Sequence, residues 1–244
     1  MPPEREIKAK AAEVAGPPVS APLPWGQDRH GPKKVGIPEV DRHLEVIFAK
    51  DGRSREIERI DASDSIVSYL EWHKDLDRSA PVEQLRRAFT ANSYKTESKL
   101  GKRLAYAMGR LGVETPFKLT PLLIGNIYEL DKTAACMKGI KAALKSGESD
   151  GVDGKRLEMT RMLFGGEVFE SGLRFRPPIV EPYLEVLYEA VTRNGADGNP
   201  LLDPRRLTAD KELIEHLEWT HKDNTDGGAK KAARRLYKAI QPSL

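Results

Sequence analysis

Apolar residues recur at helical spacing in several separate stretches. Ile66, Tyr69, Leu70 and His73 fall on one face of a helix expected over about 64–76, with Ser63, Asp64 or Ser65 as its cap. A second helix is expected over 80–90, where Ser79 can cap and Pro81 sits in the first turn, at little cost to hydrogen bonding. A third, over 97–111, has Thr96 as its cap, the stripe Leu100, Leu104, Ala107, Met108 and Leu111, and Gly112 as its stop. Further helices are expected over 132–146, 155–163, 182–193, 208–222 and 227–240, joined by turn-rich stretches at 147–154 and 194–204.

Elsewhere the period falls to two. Residues 43–49 are apolar and β-branched, Asp51-Gly52 is a hairpin turn signal, and 55–60 alternates polar with apolar. Residues 113–119, with Pro116 marking an edge, and 124–130 form a second strand pair, and a strand is expected within 169–176. The fold expected from these patterns is mainly α with small β hairpins.

Residues 1–38 break both periods. Prolines stand at 2, 3, 17, 18, 22, 24, 32 and 38, and proline lacks an amide donor and favours extended backbone. A short helix fits 4–14. Trp25 is the one bulky anchor of this arm, able to dock on the body or on a partner; the alternative is a plain disordered arm. The expected organisation is a Pro-rich arm at 1–38, a first domain at 39–131 and a helical domain at 132–244, the last a candidate truncated repeat of the first. The repeat rests on two alignments. Residues 69–75 (YLEWHKD) resemble 216–223 (HLEWTHKD), and 86–91 (RRAFTA) resemble 234–239 (RRLYKA). Chance similarity between amphipathic helices is the alternative.

Composition narrows the functional classes. A chain of 244 residues suffices for one or two domains with a real core. Its single cysteine, Cys136, has no internal partner and fits a reducing compartment. No run of about 18 apolar residues is present, and the N-terminus lacks the apolar core of a signal peptide, so a cytoplasmic or nuclear protein with no membrane association is expected. The net charge of +3 permits nucleic-acid binding without requiring it, which shifts the weight to local charge placement.

Signatures of catalysis are poor. No Gly-rich loop ending in Gly-Lys-Ser/Thr and no Gly-x-Ser-x-Gly elbow occurs. His216 and His221 are one residue too far apart for a helical metal pair, and Cys136 reads as core. Glu148, Asp150 and Asp153 lie in a Gly-rich loop without the register of a calcium site. No catalytic residue, metal or cofactor is expected. Trp72 and Trp219 are expected to be buried, with a partner contact as the alternative.

Charge placement carries the positive reading. On the third helix Lys99, Lys102, Arg103, Tyr106 and Arg110 share the face opposite the leucine stripe, with Lys95 and Ser98 at its start and Lys118 in the hairpin beyond. A basic face with an aromatic suits a phosphate backbone or a base edge. A second such surface is the C-terminal helix, where Lys230, Lys231, Arg234, Arg235 and Lys238 have no acid between them; a solvated terminal helix is the alternative.

The stretch 96–104 (TESKLGKRL), then Leu111-Gly112-Val113 and a hairpin, resembles the winged-helix tails of some plasmid and phage replication proteins. Over about 61–131 the resemblance implies a winged-helix-like unit, joined to an additional helical region. Residues 97–111 would then be its recognition helix, 113–130 its wing, and DNA its partner. The function expected is a non-enzymatic nucleic-acid-binding protein, with DNA favoured over RNA. The rival is a helical interaction module or self-assembling, nucleocapsid-like subunit that hooks a partner or a second copy through its N-terminal arm.

Overall fold

The computed structural model describes residues 31–49, 55–92, 98–111, 130–146, 175, 177–195 and 197–243. Among these residues all regular structure is helical apart from one isolated bridge, between Asn194 and Pro200. The helices are α1 (Pro38–Ile47), α2 (Glu56–Trp72), α3 (Ser79–Asn92), α4 (Ser98–Leu111), α5 (Leu130–Ser146), α6 (Val180–Thr192), α7 (Pro204–Ala209), α8 (Lys211–Asp223) and α9 (Gly227–Ile240), closed by a 3-10 turn at Gln241–Ser243.

The small β hairpins expected from the sequence are not found among the described residues. Residues 43–47 belong to α1 and 56–60 to α2, so the first strand pair is helical. The reason lies upstream and downstream of each segment. Pro38 stands in the first turn of α1, and Val40, Leu44 and Ile47 bury one face at spacings of four and three. In α2 the buried set is Arg59, Ala62, Ser63, Ile66, Val67 and Leu70, a helical stripe that the short alternation at 55–60 conceals. Burial of a whole helical face overrides β propensity over six residues. The buried Arg59 then donates from Nε to the carbonyl oxygen of Ile47 (2.9 Å), satisfying an end group of α1. The second strand pair, with the wing and Lys118, lies outside the described residues except for Leu130, which opens α5. The expected strand at 169–176 and the helices at 4–14 and 155–163 also fall outside them, apart from Phe175 in a 3-10 turn.

The other helices lie close to expectation, with one split. Asp210 interrupts 208–222: it ends α7 and caps α8, accepting from the Leu213 amide (3.0 Å). Asp226 does the same for α9, accepting from the Gly228 and Ala229 amides (2.8 and 3.3 Å). The link between α2 and α3 is closed by the buried Arg78, which donates to the Leu70 carbonyl (3.0 Å).

The helices pack in sequence on one core. The tightest contact is α4 on α5; α4 also carries α2 and α3, α5 carries α6, α6 carries α9, and α9 carries α8. The boundary expected at residue 131 falls in the first turn of α5, the helix in closest contact with α4. Their approach is allowed by Gly109 and Gly139. A Cβ at Gly109 would stand 2.9 Å from the Cys136 carbonyl carbon, and one at Gly139 would stand 2.7 Å from the Arg110 amide nitrogen. Residues 31–37 lead into α1 and touch α3, where the Lys33 amide donates to Gln84 Oε1 (2.9 Å).

The two segments aligned as a repeat pack differently. Helix α8 lies directly on α9, whereas α2 and α3 are each packed on α4. One feature is shared: the second arginine of each pair stacks on an aromatic ring, Arg87 over Phe48 (5.9 Å) and Arg235 over Tyr188 (4.1 Å).

Candidate nucleic-acid interface

Two basic faces were expected, on α4 and on α9, and their surroundings differ. Helix α4 is held on three sides, and its cations meet carboxylates. Lys102 pairs with Asp131 at the start of α5 (2.7 Å). Arg103 grips Asp64 of α2 with Nε and Nη2 and lies over the Tyr106 ring (4.8 Å). The Asp64 hydrogen bonds push its already high pKa further up. Arg110 pairs with Glu71 of α2 and reaches Ser146 Oγ (3.3 Å). Among the described residues, Lys99 is the one α4 cation that is exposed without such a partner. Lys95 and the Ser98 side chain lie outside the described residues.

These pairs join helices. A cation that has already exchanged its counterions for a carboxylate releases few on meeting a phosphate, so it contributes little to polyanion affinity. The stripe on α4 is therefore an inter-helix clamp, partly exposed and weak pair by pair. We expect the Lys99/Lys102/Arg103→Ala variant to lower the midpoint of thermal unfolding by a few degrees, at about 1 kcal/mol for the lost pairs. Its affinity for nucleic acid should stay within about two-fold of wild type. An anisotropy titration beside a melting curve checks both; a large affinity loss with an unchanged melt would restore α4 as the reader.

Helix α9 is the reverse case. Ala229, Ala232, Ala233, Leu236 and Ile240 are buried against α6 and α8. At about 100° per residue, Lys230, Arg234, Lys238, Lys231 and Arg235 fall in that order within an arc of about 140° on the opposite face. No acid lies within the helix. Lys231, Arg234 and Lys238 are exposed and make no ion pair or hydrogen bond among the described residues. Lys230 donates only to the Lys222 carbonyl oxygen (2.9 Å). Of the acids of the neighbouring α6, Glu185 turns to Lys141 of α5 (2.6 Å) and Glu189 to Lys145 (3.7 Å), while the Glu181 carboxylate lies at the first turn of α9, its oxygens 2.6 and 2.7 Å from where a Cβ on Gly228 would stand.

Aromatic groups flank this arc on both sides. Toward α8, Tyr237 lies nearly parallel to His221, at 9° with ring centroids 6.4 Å apart. Toward α6, the Arg235 guanidinium covers Tyr188. The sequence marked the five cations; it gave no sign of Tyr188 or His221, which come from other helices. The first turn of α9 is already occupied by Asp226, so its amides are not an anion site.

Burial pushes the Cys136 thiol up to about 12, so it carries no thiolate at neutral pH. A cleft of about 240 Å³ beside α5 and the start of α6 is lined by Lys102, Asp131, Lys138, Glu181 and Asp226 among small and apolar residues, with no histidine, serine or cysteine. Among the described residues no cluster of three His, Cys, Asp or Glu side chains is placed to hold a metal, and no helix is long and apolar enough to cross a membrane. Comparison with protein-family models, with curated proteins and with solved structures gives no match to this chain.

Proposed function

We propose that this chain is a nucleic-acid-binding protein without enzymatic activity, and that it binds through the outer face of α9. The observation that carries this reading is the contrast between the two basic helices. Cations on α4 are matched by Asp64, Glu71 and Asp131, while among the described residues the five cations of α9 from Lys230 to Lys238 make no ion pair. Five like charges on one helix repel each other, and neither helix propensity nor core packing requires them there. A polyphosphate chain relieves that repulsion and releases its own counterions.

An anionic membrane is a poorer match. An interfacial helix buries its apolar face among the acyl chains, and the apolar face of α9 is already in the protein core. The deciding experiment is binding of labelled nucleic acid at several salt concentrations beside sedimentation with anionic vesicles. Salt-sensitive binding to nucleic acid alone is the expected result. Binding to vesicles alone, or to neither, overturns the proposal.

A second reading, self-association, is favoured by the two tryptophans. Burial was expected for both, yet Trp72 is 85% exposed and Trp219 52%. They lie on α2 and α8, Trp72 as the last residue of its helix. Exposed tryptophan is enriched at protein interfaces. Under this reading, sedimentation velocity across a concentration series shows oligomers that Trp72→Ala together with Trp219→Ala disperses. A wild-type monomer throughout would remove it.

A further inference from the structure

Resting on the reading of α9 as a nucleic-acid surface, we infer that its ligand is single-stranded, with bases stacked on the aromatic groups that border the cations. The argument is one of juxtaposition. Lys231, Arg234 and Lys238 run along the crest of α9. On one side lies the parallel pair His221 and Tyr237; on the other, the Arg235 guanidinium lies over the Tyr188 ring at 4.1 Å. A guanidinium plane held by a ring on one side is a stacking surface for a base on the other.

A duplex cannot use these surfaces, because its bases are stacked on one another and it presents mainly phosphates to a convex helix. A single strand presents phosphates and base faces at once. Its phosphates can follow the cations while neighbouring bases turn to either border. Every base has a π face, so recognition of this kind tolerates sequence. Tyr188 and Arg235 are separated by 47 positions, and His221 and Tyr237 by 16, so the arrangement belongs to the α6–α9–α8 packing and is independent of the α9 sequence alone.

The test is an anisotropy titration of the full chain with a labelled single strand and with the duplex of the same sequence. It uses wild type, the double variant His221→Ala/Tyr237→Leu, and the charge variant Lys231→Gln/Arg234→Gln/Lys238→Gln. We expect the single strand to bind more tightly than the duplex. The aromatic variant should weaken single-strand binding about five-fold or more, the scale of one lost stacking contact, with the salt slope unchanged. Duplex binding should not move. Equal affinity for both forms, unaffected by the aromatic variant, overturns the inference; the charge variant then reports separately on whether α9 binds nucleic acid at all. Should the aromatic variant unfold, photocrosslinking of wild type to a 5-bromouridine-containing strand decides. Adducts on Tyr188, His221 or Tyr237 are expected, and adducts confined to other helices reject the idea.

Discussion

Replacing Lys231, Arg234 and Lys238 together by glutamine is expected to abolish most of the salt dependence of nucleic-acid binding. With about five phosphate contacts, the slope of log affinity against log salt is about −3.5 for a single strand. A rise from about 50 to 200 mM salt then weakens wild type on the order of a hundred-fold. With two contacts left the slope is about −1.4, and the same rise costs the variant less than about ten-fold. The three side chains are exposed and touch no partner among the described residues, so the melting temperature should stay within a few degrees. Removing like-charge repulsion along α9 should, if anything, raise it. An affinity loss with an unchanged slope would mean that the three residues act through folding, and the α9 surface would be abandoned.

The largest effect on stability is expected at the contact between α4 and α5. Valine at Gly109 would drive a branched side chain into the backbone of Cys136, and the obstacle is a carbonyl group inside a helix, which cannot rotate away. The helices must separate, and the buried side chains around them, Ala105, Met108, Ile140 and Ala143, lose their packing. Overpacking typically costs about 1–3 kcal/mol, and a backbone obstacle puts this case at or above the upper end. For a domain of this size that is a fall of roughly 6–12 °C in the melting temperature. Gly227→Ala is the control. Gly227 lies in the first turn of α9 and a Cβ there meets nothing within 4 Å. It should be neutral or stabilise by about 0.5 kcal/mol, because alanine restricts the unfolded chain. A Gly109→Val variant as stable as Gly227→Ala in a denaturant titration would show that the Cys136 backbone is no obstacle at that position.

The helical character of this chain and most helix positions were legible wherever a period of 3.6 ran for three turns or more, as in α4, with Leu100, Leu104, Ala107, Met108 and Leu111 all buried. Short segments misled. The alternation of 55–60 is compatible with both periods, and only the burial of Arg59 against the end of α1 shows which one folds. The break at Asp210 was hidden because aspartate serves equally as a surface residue and as a cap. Both tryptophans were expected inside from their bulk, and both stand in solvent at helix positions turned from the core.

The candidate site divides in the same way. The absence of acids from 227–240 is written in the sequence, and so is the amphipathic register that puts five cations opposite Ala229, Ala232, Ala233, Leu236 and Ile240. Those properties are local, because a helix converts spacing directly into faces. Which of two basic helices stays unneutralised is not local. It depends on Asp64, Glu71 and Asp131, which reach their α4 partners from 29 to 39 positions away. It depends equally on α6, whose Glu185 and Glu189 turn to lysines of α5 and whose Tyr188 receives Arg235. Sequence by itself determined where charge is carried along each helix. The tertiary structure decided which charges hold helices together and which stay exposed, because pairing is a matter of distance in space and chain spacing does not encode it.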